Sequence, residues 1–317
     1  CQYLVWEFRT PAGWNGDRPV ILEARGNFCI AGVGVTRDPQ EETDPIPDGD
    51  GEEEPSSLIA DPVELVSSDP SLPASGVVWH NQVGEWKDSR PQTPNSTDNS
   101  WAKNSTPIGN GRLGGLIYGG CATDHMELTE ISLWSGRECS VNQKAANNGT
   151  GPNSILFGSY LPFATFAADH YGTGKAADYR RVLDLKTGTA SVSYRVGETE
   201  FRREYFASAP HQVIVMTETA STPGALNVRV RFSSLLPGVV FTVENQTIVQ
   251  RGALNNGLVY EGRYRVLHQG GTLTVNADGS LTLNGADSMT VLMSMGTNYV
   301  MDESKNWKGE DPSALVT

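Results

Sequence analysis

Ala190-Ser-Val-Ser-Tyr-Arg-Val-Gly-Glu-Thr-Glu-Phe-Arg-Arg-Glu-Tyr-Phe-Ala207 is the stretch that decides the fold. Ala190, Val192, Tyr194 and Val196 alternate with polar or small residues, a period of two rather than 3.6. Gly197 breaks the run, and a second begins at Thr199. Two alternating runs about a glycine turn predict a hairpin over 190–207 with one buried face. The same signal repeats on both sides. Gln212–Thr219 reads as a strand, and Leu226–Phe232 alternates. Thr272–Val275 and Ser280–Leu283 flank the turn Asn276-Ala-Asp-Gly279, and Ser288–Met295 closes the series. Upstream, Leu113–Tyr118 reads as a short buried strand after the turn Gly109-Asn-Gly111. Helix is hinted at only in Gln143–Ala146 and Phe163–His170, the second of which is ambiguous. Many short strands joined by Gly, Pro, Asn and Asp turns predict a mainly β protein, a large antiparallel β-sandwich. No repeat of 20–50 residues is visible.

Charge divides the chain. The 317 residues carry 24 Lys and Arg against 37 Asp and Glu, a net −13. From Asp38 to Ser75 there are twelve acidic residues, seven prolines, and no Lys, Arg or aromatic residue. Such a stretch cannot bury enough apolar surface to offset its ordering entropy, so 38–75 is expected to be an acidic, disordered linker. Residues 1–37 read as the tail of an upstream β module, and 76–303 as the main sandwich. Outside the linker, 24 basic residues face 25 acidic ones, and no basic patch exists to hold phosphates. Nucleic acid is therefore excluded as a partner. An anionic membrane surface is disfavoured too, and the longest nearly uncharged apolar stretch, Leu113–Ala122, is far short of a span.

Cys1, Cys29, Cys121 and Cys139 show no metal-site spacing, and the five His are scattered. Cys1–Cys29 and Cys121–Cys139 are candidate disulfides, with free thiols the equal alternative. Asn95, Asn104, Asn148 and Asn245 head N-x-S/T sequons. Together these favour a secreted or periplasmic setting. Asp48-Gly-Asp-Gly-Glu52 echoes a calcium loop but lacks its Gly and distal Glu. Gly172-Thr-Gly-Lys175 is not a phosphate loop, and Leu133-Trp-Ser-Gly136 is not a nucleophile elbow. No metal or cofactor is expected.

Two stretches stand out. Pro107-Ile-Gly-Asn-Gly-Arg-Leu-Gly-Gly-Leu-Ile-Tyr-Gly-Gly120 is glycine-rich in and beside a strand, which implies bends or close backbone approach. Met126-Glu-Leu-Thr-Glu-Ile-Ser-Leu-Trp-Ser-Gly136 alternates into Trp134. That ring could stack on a sugar or another domain, while core packing is the simpler expectation. In order and separation, these stretches resemble the N-terminal domain of glycoside hydrolase family 95, the α-L-fucosidases. Ser159–Phe163, Asp178–Ala190, Phe201–Val215 and Gly309–Pro312 resemble further blocks of that family, so the likeness covers about residues 78–317. Thr129 stands where the family usually has Asn, and Arg137–Gly158 is shorter than its usual counterpart.

The resemblance implies a β-sandwich (a super-sandwich) followed by a helical linker and an (α/α)6 catalytic barrel. The inverting acid and base would lie in that barrel. Residues 304–317 are then expected to start the linker, with the barrel beyond, and no catalytic residue is assigned to this chain. The implied role is to brace the barrel of an enzyme acting on fucosylated glycans, with Asn110, Arg112, Glu130 and Trp134 on the barrel or substrate side. More simply, Asn110 would be a left-handed turn residue and Arg112–Glu130 an ion pair. Two alternatives stand beside this reading. One is a carbohydrate-binding module using Trp79, Trp86 and Trp101; the other is an α-L-galactosidase of the same family.

Overall fold

The computed structural model describes residues 76–84, 86, 104–136, 158–172 and 174–316. The expected upstream module, the acidic linker and the helix hint at Gln143–Ala146 lie outside them. The described residues are almost entirely antiparallel β. The strands are β1 (Val77–His80), β2 (Thr106–Gly109), β3 (Leu113–Ile117), β4 (Thr123–Glu130), β5 (Ala164–His170), β6 (Ala176–Asp184) and β7 (Thr189–Val196). They continue with β8 (Thr199–Ser208), β9 (Val213–Ala220), β10 (Leu226–Ser233), β11 (Val240–Glu244), β12 (Thr247–Ala253), β13 (Val259–Val275) and β14 (Leu281–Thr297). The hairpin that opened the sequence reading is β7–β8, in register from Ala190↔Tyr205 to Val196↔Thr199.

One strand organises the rest. β14 pairs along one edge with β13 over its whole length. Its other edge is shared: Leu281–Ala286 pair with β10, and Ser288–Met293 pair with β9. The sheet therefore forks. One branch runs β9-β8-β7-β6-β1 and the other β10-β5-β4-β3-β2. The branches fold over one another, with β2 against β7 and β8, and β3 against β9. Their inner faces meet in one core. Ile117, Met126, Leu128 and Phe166 from one branch join Val192, Tyr205, Ile214 and Met216 from the other, all buried. Each such side chain contributes about 1.5–3 kcal/mol by leaving water, so this shared core holds the sandwich closed.

The structure departs from the sequence reading in two places. The segments 272–275, 280–283 and 288–295 are not three strands but parts of two 17-residue strands, β13 and β14. Gly270, Gly271 and Gly285 look like chain punctuation in sequence. All have φ near +68°, and the register shifts between Gln269 and Gly270. They bend a continuous ladder rather than end it. The ambiguous segment Phe163–His170 is strand β5, not helix. It lies between β4 and β10, and Ala164–Ala168 are buried on both faces. A strand buried on both faces loses the period-two signal and can pass for a helix.

The glycine-rich stretch is explained by close approach. A Cβ on Gly120 would sit 1.9 Å from the Thr123 carbonyl oxygen, so no other residue fits there without moving the backbone.

Candidate functional site

Three of the four candidate residues meet at one end of the sandwich, where β2–β3 and the end of β4 come together. Asn110 occupies the β2–β3 turn. Its Oδ1 accepts from the backbone N–H groups of Arg112 (3.0 Å) and Leu113 (2.7 Å), and its Nδ2 donates to the Ser208 carbonyl (2.8 Å). The left-handed residue of this turn is Gly111, at φ +90°, and not Asn110 as expected. Asn110 instead works through its side chain, tying the turn to the end of β8.

Arg112 follows. It donates from Nε to Gln212 Oε1 (2.5 Å) and from Nη1 to the Met295 carbonyl (2.7 Å), and it pairs with Glu130 Oε1 at 3.4 Å. One guanidinium therefore joins β3, β4, β14 and the loop before β9. The Glu130 carboxylate is buried. Its second oxygen accepts from Ser132 N (2.9 Å) and Oγ (2.6 Å), and Ser132 Oγ lies 2.6 Å from Thr297 Oγ1. Burial pushes the Glu130 carboxyl up, opposed by the Ser132 hydrogen bonds and by Arg112.

Trp134 corrects the core-packing expectation, because it is 44% exposed. Its Nε1 donates to the Ile131 carbonyl (2.9 Å), its ring tilts against Tyr160 at 5.5 Å, and Asn256 Nδ2 donates to its carbonyl at 3.0 Å. The ring is thus held in place while still presenting a face. Other apolar side chains are exposed on the segments that meet this end: Ile131, Tyr299, Met301, Trp307 and Leu315. The last segment is fastened by Arg251, which bonds to both Glu261 and Asp311.

The sequence reading missed a second constellation, between the two branches. Arg203 on β8 is fully buried. It donates to Glu218 Oε1 (2.9 Å), the Gly120 carbonyl (2.6 Å) and Tyr194 OH (2.7 Å), and lies 3.7 Å from Asp124 Oδ2. Tyr205 OH donates to the same Asp124 oxygen (2.6 Å), Gly119 N donates to the other (3.0 Å), and His170 Nε2 sits 2.9 Å from Glu218. Burial pushes the Glu218 carboxyl up, but Arg203 and His170 more than offset it and hold it at about 2. A signal for this was present. Arg203 shares parity with Phe201 and Tyr205 on β8, and pairs directly with Glu218 across to β9. A charge at an inward-facing position requires a partner.

The remaining candidates are scattered. Cys121 carries a free thiol, pushed up to about 11 by burial and therefore poorly nucleophilic at neutral pH. Its expected partner Cys139 lies outside the described residues, as do Cys1, Cys29, Asn95, Asn148 and Trp101. Asn245 is exposed at the β11–β12 turn, whereas Asn104 is half-buried beside β2. Trp86 is covered by His125 (3.8 Å between ring centroids), and Arg180 lies over Trp79 at 5.8 Å. Trp79 nonetheless keeps 40% of its surface exposed. No cluster of His, Cys, Asp and Glu among the described residues could hold a metal, and no described helix is long and apolar enough to cross a membrane.

Alpha-L-fucosidase 2 of Arabidopsis thaliana is 36% identical over 41% of this chain and 18% of its own length. Probable alpha-fucosidase A of Aspergillus niger is 31% identical over 46% of this chain and 20% of its own. Probable alpha-fucosidase A of Aspergillus oryzae is 24% identical over 78% of this chain and 37% of its own. The chain thus spans less than two-fifths of the length of each of these relatives, and they bear out the resemblance read from the motifs. The family model described as "Glycosyl hydrolase family 65, N-terminal domain" matches residues 90–155 and 142–302. That match spans more than half of the sequence, so the chain belongs to the family of glycosyl hydrolase N-terminal domains that the model describes.

Proposed function

We propose that this chain is the non-catalytic N-terminal domain of an α-L-fucosidase-like inverting glycoside hydrolase, and that it braces a neighbouring catalytic barrel. The carrying observation is the half-exposed Trp134, held by its bond to the Ile131 carbonyl at the end of the sandwich where Arg112 pairs with the buried Glu130, with Ile131, Tyr299 and Trp307 also exposed on the segments that meet there. Aromatic and apolar groups held rigid on a polar, hydrogen-bonded base suit a permanent contact between domains better than open solvent.

The carboxylates support a non-catalytic role. Inverting hydrolysis needs an acid and a base about 6.5–9.5 Å apart with room for water and sugar between them. Among the described residues, the buried carboxylates Asp124, Glu218 and Glu261 are each engaged by arginine, and Glu130 by Arg112 and Ser132. The relatives are named as α-fucosidases, which favours fucosylated glycans over α-L-galactosides. A secreted or periplasmic setting accords with Asn245 at an exposed turn. The test is fucose release from a fucosylated oligosaccharide by residues 1–317 and by a longer protein carrying a barrel. Activity only in the longer protein is expected, and turnover by 1–317 alone would overturn the reading.

A further inference from the structure

A second feature lies away from that edge. Thr123, at the start of β4, pairs with Asp169, whereas Glu130 ends the same strand. Seven residues of strand place the two ends about 23 Å apart. Just past Asp169 is Tyr171, half exposed at the rim of an open depression of about 650 Å³ on the outer face of β10 and β14. The volume falls within the usual range for ligand sites, roughly 300–1,000 Å³. The lining, however, is unlike a site for an apolar ligand. Beside the one aromatic ring it presents Asn227, Arg229, Asn276, Asp278 and Asn284.

These groups are fixed before any ligand arrives. Tyr171 N donates to the Asn227 carbonyl (2.9 Å), and Arg229 Nε donates to Ser280 Oγ (2.8 Å). Asn227 Oδ1 accepts from Gly285 N (2.9 Å) at the bend of β14. Asn276 Nδ2 donates to Ser280 Oγ (2.8 Å) and Thr282 Oγ1 (2.7 Å), leaving the side-chain Oδ1 for another donor. Arg229 pairs with Asp278, and Arg231 next to it with Asp169. The charges therefore cancel in pairs, and no net positive charge remains to hold a phosphate or carboxylate.

We propose that this depression is a surface binding site for a neutral sugar unit of a glycan, separate from the Trp134 edge. A pyranose offers an apolar C–H face and a ring of hydroxyls that both donate and accept. The exposed Tyr171 ring suits the first. Amides, a guanidinium and a carboxylate in fixed positions suit the second, and little ordering entropy is lost on binding. An open, shallow site of this kind holds a single sugar weakly, with Kd on the order of millimolar.

The proposal is tested by saturation-transfer NMR on the full chain with methyl α-L-fucoside and methyl β-D-galactoside as probes, and by 31P line broadening with inorganic phosphate. Transfer to at least one glycoside and no broadening of the phosphate signal is expected. Tyr171→Ala should weaken that binding about tenfold, as loss of one stacked ring implies, and Trp134→Ala should leave it unchanged. Asn284→Ala, at an exposed position, serves as a second variant and should weaken it by a smaller factor. Wild-type binding in both Tyr171→Ala and Asn284→Ala would overturn the proposal. So would loss of binding in Trp134→Ala, preference for phosphate, or no transfer at about 50 mM glycoside. Fucose release is not the readout, so failure of this site and failure of the bracing role remain distinguishable.

Discussion

Two arginine–glutamate pairs in this domain use the same chemistry for opposite ends. Arg203–Glu218 lies between the two branches of the sheet, with both side chains fully buried. Arg112–Glu130 lies at the rim, where the arginine keeps 27% of its side-chain surface and the glutamate 3%. Inside, the neighbours Asp124, Tyr194, Tyr205 and His170 close the network around the charges. At the rim, the guanidinium spends its donors on backbone and amide oxygens of two further segments, and Trp134 at the same end is half-exposed. The difference is one of what removal leaves behind. Deleting an inner partner strands a charge in a low-dielectric core, whereas deleting a rim partner mostly loosens how segments are aligned.

The contrast breaks first at Arg203. Arg203→Met keeps much of the volume but leaves Glu218 and Asp124 uncompensated, so a loss of about 3–5 kcal/mol is expected. For a domain of this size that lowers the melting temperature by roughly 10 °C. A calorimetric shift under about 2 °C would show that the network contributes little beyond filling space.

The next effect is on pH dependence. Glu218 is held at about 2, below the ordinary value near 4.3. A carboxyl with a depressed folded pKa adds stability that is present above the unfolded value and lost as pH falls towards the folded one. Between pH 4.5 and 2 the wild type should therefore lose on the order of 3 kcal/mol that Glu218→Gln does not lose. Denaturant titrations at several pH values measure the two slopes, and parallel slopes would remove Glu218 from the account.

A third effect separates the rim from the core. Trp134→Ala in the isolated chain should cost about 1–2 kcal/mol, less than the 3–5 of a fully buried tryptophan, because nearly half the ring is already in water. In a longer protein that carries a barrel, the same change should lower kcat/KM as well. A fall in melting temperature with unchanged kinetics would reduce Trp134 to a packing residue.

How much of this was legible follows from where the information lies. The β7–β8 hairpin was readable because its period-two pattern is local and one face is polar. β5 was not, because Ala164–Ala168 are buried on both faces and the alternation is erased. The length of β13 and β14 was hidden by Gly270, Gly271 and Gly285, which bend a strand as readily as they end one. At the rim, the motifs brought Asn110, Arg112 and Glu130 forward, but their partners Gln212, Met295 and Thr297 are distant in sequence and were out of reach. Arg203 and Glu218 were within reach of parity alone.

The smallest effect tests the rim pair itself. Arg112→Lys keeps the charge but cannot serve Gln212, Met295 and Glu130 at once, because a single ammonium lacks the planar fork. One or two lost hydrogen bonds at a partly exposed site imply about 1 kcal/mol. The change should also have a pH signature. Burial already raises the Glu130 carboxyl, with Ser132 and Arg112 opposing. A carboxyl with a raised folded pKa stabilises below its unfolded value and loses that contribution as pH climbs through the folded one, the reverse of Glu218. Weakening the Arg112 contact raises Glu130 further, so the Arg112→Lys penalty should be smallest near pH 4 and grow towards pH 7. A penalty that stays flat over that range would mean that Arg112 aligns backbone segments and contributes nothing to the charge of Glu130.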